Sequence, residues 1–302
     1  MTANPESCSG TDLAKRADYW QLRTRRLAFP RRPLLMGIVN VTPDSFSDGG
    51  QFLQANRAVE QALHLSSHGA DLIDIGGEST RPYSETVSLG EELDRVVPVV
   101  EQIRAREDVI ISVDTSKSEV ARECLSRGAE IINDVTGLCA DKAMASLVAE
   151  TKAGVCVMHM QGTPQTMQDS PRYENVVEEV YEFLRQRRDA LVQAGIELDS
   201  ICLDPGIGFG KTALHNCELL QHIETFHRLG HPLLVGHSRK GFIGKLIGAE
   251  ISGQTIDREA GTLGVSLAMA HRGVQILRLH DPEYTRQALI LFEAAGSVAA
   301  DC

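Results

Sequence analysis

Short apolar runs recur along the chain, and each ends at or near a polar residue. Leu34 to Val39 ends at Asn40, and Leu72 to Ile75 leads into Gly76-Gly77-Glu78-Ser79-Thr80-Arg81-Pro82. Val109 to Val113 ends at Asp114, Ile131-Ile132 at Asn133-Asp134, and Gly154 to Met158 at His159. Ile201 to Leu203 ends at Asp204, Pro232 to Gly236 at His237-Ser238-Arg239-Lys240, and Val274 to Leu277 at Arg278. Apolar runs bounded by Gly, Pro and polar loops read as buried strands. Helical periodicity fills the gaps, over about 56–69, 89–106, 175–194, up to 247, 257–271 and on towards 295. Gly69 and Gly195 suit C-terminal caps. Ser116 and Glu119 have capping-box spacing, which predicts a helix start there.

Strands alternating with helices imply a parallel sheet. Eight such units predict one α/β fold, a (β/α)8 TIM barrel over 34–302. A doubly wound sheet is the alternative, but its Gly-rich turn after the first strand is missing. Residues 1–33 form an N-terminal extension. In it, Trp20-Gln21-Leu22 and Arg26-Leu27-Ala28-Phe29 partly alternate, which predicts a β-hairpin packed on the barrel rather than an Arg-rich transit peptide.

Composition narrows the function. The 302 residues, 42% of them hydrophobic, suffice for a sizeable core. A formal net charge of −11 argues against general nucleic-acid binding, although local Arg and Lys can still hold an anion. Seven scattered cysteines, an odd count with no CxxC, favour reduced thiols and a cytoplasmic location. Cys156 and Cys202 lie in apolar runs and read as small core residues. No run reaches membrane-spanning length and no signal-peptide pattern opens the chain, so no membrane partner is expected.

In a barrel the active site lies at the C-terminal strand ends. Here Asn40, Thr80, Asp114, Asn133, His159, Asp204, Lys240 and Arg278 would share one mouth. Pairing with loop amides explains one such group more easily than all of them. Asp114, Asn133 and Asp204 offer acceptors and one amide, which suit a planar heterocycle with N–H and amino donors. Lys240 adds a donor for a ring carbonyl or nitrogen. Arg278 and His280, two residues apart, should face one way and form an anion site suited to phosphate. Asn40 and Asp44 supply hard oxygens that, with a diphosphate, suit Mg2+. His64 and His68 have i, i+4 spacing but no third ligand, and read as a solvated helix face.

These residues resemble the dihydropteroate synthase family. The resemblance runs over nearly the whole chain from Leu34. It rests on Met36-Gly37-Ile38-Val39-Asn40-Val41-Thr42-Pro43-Asp44-Ser45-Phe46-Ser47-Asp48-Gly49-Gly50, on Gly76 to Pro82, and on Asp204-Pro205-Gly206-Ile207-Gly208-Phe209-Gly210-Lys211. Ser238-Arg239-Lys240 and Arg278-Leu279-His280-Asp281 complete it. It implies condensation of 4-aminobenzoate with 6-hydroxymethyl-7,8-dihydropterin diphosphate by an SN1-like route. It further implies a pterin set of Asp114, Asn133, Met158, Asp204, Phe209 and Lys240, and a diphosphate set of Asn40, Arg278 and His280, with Asn40 also on Mg2+. Catalytic roles fall on Arg278, His280, Lys240 and Asp114. The aminobenzoate site and its loops take Asp44, Thr80, Arg81, Pro82, Ser238 and Gly241. Sulfonamide inhibitors and a homodimer are expected from the same resemblance.

The family often carries Ser where this chain has Gly241, so a backbone N–H is left for the aminobenzoate carboxylate. His237 has no role in this reading. The rivals are a methyltetrahydrofolate-dependent methyltransferase on the same barrel and a non-catalytic pterin-binding paralogue. Neither needs both the Arg278/His280 pair and the 40–50 loop. Synthases insensitive to sulfonamides differ around the second loop and after Phe209.

Overall fold

The computed structural model describes residues 16–42, 51–80, 83–251 and 255–296. Strands β1 (Tyr19–Gln21) and β2 (Arg26–Ala28) pair antiparallel. The barrel strands are β3 (Leu34–Asn40), β4 (Leu72–Gly76), β5 (Ile110–Asp114), β6 (Ile131–Asp134), β7 (Gly154–Met158), β8 (Ile201–Asp204), β9 (Leu234–Val235) and β10 (Ile276–Leu279). All ladder neighbours are parallel, in the order β8-β7-β6-β5-β4-β3-β10-β9. A parallel bridge from Leu203 to Leu233 joins the two ends of this order. The result is the eight-stranded barrel that the alternation implies.

The helices follow the strands: α1 (Gln51–Ser67), α2 (Leu89–Arg104), α3 (Ser118–Ser126), α4 (Met144–Thr151), α5 (Val176–Gln193), α6 (Ala213–Gln221), α7 (Gly241–Glu250), α8 (Arg258–His271) and α9 (Pro282–Ala294). Most boundaries lie within a few residues of the periodicity. Helix α1 starts about a turn earlier than expected. Ser116 does not cap α3. The N-cap is Lys117 without a side-chain cap, and Asp141 Oδ2 accepts the Ser118 N–H at 2.8 Å instead. A distant carboxylate therefore replaces the local box, which spacing alone cannot reveal. Helices α4 and α6, of 8 and 9 residues, are too short for a clear period.

Strand alternation divides the core in two. Leu35, Ile73, Ile111, Ile132, Val155 and Leu277 face the helices and join one large cluster. Leu34, Met36, Leu72, Ile110, Ile131, Cys156, Cys202 and Ile276 fill the barrel interior. The hairpin plugs that interior from the N-terminal side: Trp20 and Leu22 join the inner cluster, and Trp20 Nε1 donates to Ser200 O at 2.8 Å. Gly154 makes room for the plug, because a Cβ there would lie 2.8 Å from Leu22 Cδ2. With the bottom closed, the C-terminal mouth is where a ligand can meet the inward-facing polar groups.

Candidate active site

Ladder register sets the rim. Asn40 pairs with Gly76, Gly76 with Asp114, and Asp114 with Asn133, while Met158 pairs with Asp204. One layer deeper, Asp74 pairs with Ser112. Asp74 is fully buried, so its charge needs partners. Its Oδ2 accepts Arg278 Nε at 2.6 Å and Asn133 Nδ2 at 3.0 Å. Arg278 Nη2 donates to Asp114 Oδ2 at 2.9 Å. Arg278, expected as an anion ligand, thus has two of its nitrogens on carboxylates. Asp74 escaped the sequence reading because it lies inside an apolar run rather than at its end. A lone carboxylate within a strand was the available signal.

A second group surrounds Asp204, which is 5% exposed. Its Oδ1 accepts the Gly206 N–H at 2.7 Å. Gly206 has φ +71°, and a Cβ there would lie 1.8 Å from His159 O, so only glycine fits this turn. Lys240 Nζ donates to Ile207 O and stands 4.3 Å over the Phe209 ring. Behind the turn, buried Lys211 donates to Phe209 O at 2.9 Å and meets His159 Nδ1 at 3.0 Å. Burial, with Lys211 beside it, pushes the His159 imidazole down to about 3. His159 and Lys211 therefore support the glycine-rich loop from beneath, a role the sequence left unassigned.

The third group lies at the β9 and β10 ends. His280 Nδ1 is 3.0 Å from Ser238 Oγ, which also accepts the His280 N–H at 3.2 Å. Arg239 adopts φ +57°, a left-handed conformation that is strained for Arg, held by its N–H on Thr262 Oγ1 at 3.0 Å. Buried His237 fastens the same turn to α8 through Ser266 Oγ at 2.9 Å. Gly241 opens α7, and nothing lies within 4 Å of where its Cβ would be.

Of the remaining expected residues, Met158 is buried at the end of β7. Half-buried Asn40 ends β3. Thr80 and Asp114 line a cavity of about 480 Å³ that also reaches Thr115, Thr136 and Phe183. Asp44, Arg81 and Pro82 lie outside the described residues. His64 and His68 stack on an exposed helix face.

Burial dominates the electrostatics. It lifts the Asp114 carboxyl to about 7, with Arg278 opposing and Asp74 reinforcing. It raises Asp204 as well, against Lys240. It lowers the Lys240 ammonium to about 7, against the pull of Asp204. Burial also works against the Arg278 charge, but Asp74 and Asp114 outweigh it and hold the guanidinium protonated. Acceptors on Asp114, Asn133 and Asp204 thus face cations on Lys240 and Arg278 around one mouth. Such a set suits a flat heterocycle rich in N–H donors, with an anion beside it.

A (β/α)8 barrel with this mouth is a heterocycle-binding enzyme. Residues 36–280 match the family model described as "Pterin binding enzyme". The chain is 47% identical over 265 residues to the dihydropteroate synthase of Escherichia coli strain K12, covering 88% of this chain and 92% of that one. The Xanthomonas albilineans dihydropteroate synthase, solved with 4-aminobenzoic acid, superposes with a TM-score of 0.84 at 43% identity, covering 94% of this chain and all of that one. The same enzyme was also solved with 7,8-dihydropteroate, with a TM-score of 0.81 at 42% identity over 93% of this chain and 100% of that one. The Yersinia pestis dihydropteroate synthase, solved with a sulfonamide drug complex, gives 0.83 at 43% identity over 92% of this chain and 99% of that one. The chain belongs to the dihydropteroate synthase family of pterin-binding enzymes.

Proposed function

We propose that this barrel condenses 4-aminobenzoate with 6-hydroxymethyl-7,8-dihydropterin diphosphate, releasing pyrophosphate and 7,8-dihydropteroate in folate biosynthesis. The observation that carries this reading is the convergence of Asp114, Asn133 and Asp204 with Lys240 and Arg278 at one mouth, on a chain of this family. Asp114, Asn133 and Asp204 accept from the donor edge of the pterin. Met158 and Phe209 pack the ring, and Lys240 meets its carbonyl or nitrogen side.

The reaction breaks the C–O bond to the diphosphate, forms a C–N bond to the amine and releases one amine proton with the pyrophosphate, in an SN1-like order. Arg278 and His280 donate to the departing diphosphate and offset its growing charge. Arg278 can do this through Nη1, since Nε and Nη2 are engaged by Asp74 and Asp114. In their ionised forms Asp114 and Asp204 favour the cationic methylene that follows. By resemblance to the family, the segments that carry Thr80 and Asp44 would keep water from that cation while the amine attacks. Ser238 and the Gly241 N–H face the aminobenzoate side, where sulfonamides would compete.

Asn40 offers one hard oxygen, and among the described residues no group of three His, Cys, Asp or Glu could hold a metal. This donor set fits a Mg2+ that takes most of its oxygens from diphosphate and water. When bound, Mg2+ would add positive charge beside the leaving diphosphate. A homodimer is expected from the family, and Leu246, Ile256, Tyr284 and Leu291 are exposed apolar side chains that an interface could cover. Among the described residues no helix is long and apolar enough to cross a membrane. The free thiols Cys124, Cys156 and Cys202 fit a cytoplasmic enzyme.

The test is pyrophosphate release with each substrate omitted in turn. The reading expects release that depends on both. Release without 4-aminobenzoate at the full rate, or none with both present, would overturn it.

A further inference from the structure

The site carboxylates Asp114 and Asp204 lie at strand ends, but Asp74 sits two residues inside β4. It is fully buried, one layer below the rim and level with Ser112. One oxygen, Oδ2, accepts from both Arg278 and Asn133. The other, Oδ1, is buried with no hydrogen-bond partner, as is the hydroxyl of its ladder neighbour Ser112. A carboxylate present only to neutralise an arginine would be expected to use both oxygens in a fork. Asp74 instead gives one oxygen to two site residues and leaves the other bare.

The consequence falls on Asn133. Asp74 Oδ2 accepts from Asn133 Nδ2 at 3.0 Å, so the Asn133 amide turns its NH2 inwards. Its Oδ1 is then left for the mouth. An unconstrained amide could offer a ligand either its donor or its acceptor end. This one is fixed in orientation, with one N–H on Asp74 and its oxygen turned the other way, at the same ladder level as Asp114.

We propose that Asp74 is a positioning residue that holds the Asn133 amide with its NH2 inwards and its oxygen towards the mouth, and so sets the mouth's preference for a heterocycle carrying an amino donor. The proposal rests on the pterin reading above. It assigns Asp74 no contact with the ligand.

The isosteric variant Asp74→Asn keeps the shape but offers both a donor and an acceptor, so either orientation of the Asn133 amide is satisfied. Calorimetric titration of the parent and the variant would use 6-hydroxymethylpterin and its 2-desamino analogue. The parent is expected to prefer the amino ligand, and the variant to lose at least tenfold of that preference, mostly through weaker binding of the amino ligand. Equal weakening of both ligands would mean a merely structural carboxylate and would overturn the proposal. Should the variant not fold, nitrogen-15 NMR of the parent decides. A slowly exchanging Asn133 side-chain amide proton supports the hold by Asp74, and protons exchanging as freely as in an exposed amide overturn it. Failure of the parent to bind either ligand would overturn the pterin reading itself, and the proposal with it.

Discussion

Asp204→Asn isolates the charge that grips the pterin edge. The side chain is 5% exposed, and Oδ1 is committed to the Gly206 N–H, so Oδ2 is the oxygen left for a ligand. Asparagine can keep the Gly206 bond through its oxygen. Its NH2 would then face ring donors, which replaces a charge-assisted acceptor by an opposed donor. A hydrogen bond to a charged group is worth about 1.5–3 kcal/mol, and an unsatisfied buried group adds a further cost. The sum is about 2–4 kcal/mol, or roughly 30- to 1,000-fold in Kd. Stability should change little, because burial already disfavours the Asp204 charge. The assay is calorimetric titration with 6-hydroxymethylpterin, with a thermal melt beside it to confirm folding. A folded variant whose Kd stays within about threefold of the parent would refute the reasoning.

Arg278→Gln keeps a donor for buried Asp74 but removes the cation at the leaving group. Turnover should fall about 100- to 1,000-fold while pterin affinity changes far less, and near-normal turnover in steady-state kinetics would defeat the assignment. Gly241→Ser has open space for its side chain, so it should fold normally. It should lower the KM for 4-aminobenzoate severalfold, on the order of one hydrogen bond of about 1 kcal/mol, and an unchanged KM would count against a carboxylate site at α7. His237 is depressed by burial to about 4 from 6.5, so its contribution to stability is full above pH 6.5 and is lost as pH falls towards 4. Replacing it by Gln should make the acid limb of the stability curve shallower by about 1.4 kcal/mol per pH unit, measured by urea unfolding, and an unaltered slope would contradict the sign.

The barrel was legible because its strands are buried on both faces and read as continuous apolar runs, each stopped by a polar residue. That rule found Asp114, Asn133 and Asp204 at the rim. It also hid Asp74, whose side chain points into the barrel from the middle of a run and finds its partners on strands far away in sequence. The Arg278 to Asp74 bond spans 204 residues. The cap of α3 was lost for the same reason: its carboxylate, Asp141, comes from another segment. His159 and Lys211 were visible as residues, but nothing local says that they meet beneath the Gly206 turn. Local pattern reports which side chains reach the mouth. Which of them hold one another is decided by tertiary register.

A crystal structure of the protein with 6-hydroxymethylpterin would test the central claim most directly. The account predicts the ring between Phe209 and Met158, with its donor edge at hydrogen-bond distance, about 3 Å, from Asp114, Asn133 and Asp204. A ring bound instead in the cavity between Thr80, Thr136 and Phe183, away from Asp204, would contradict it.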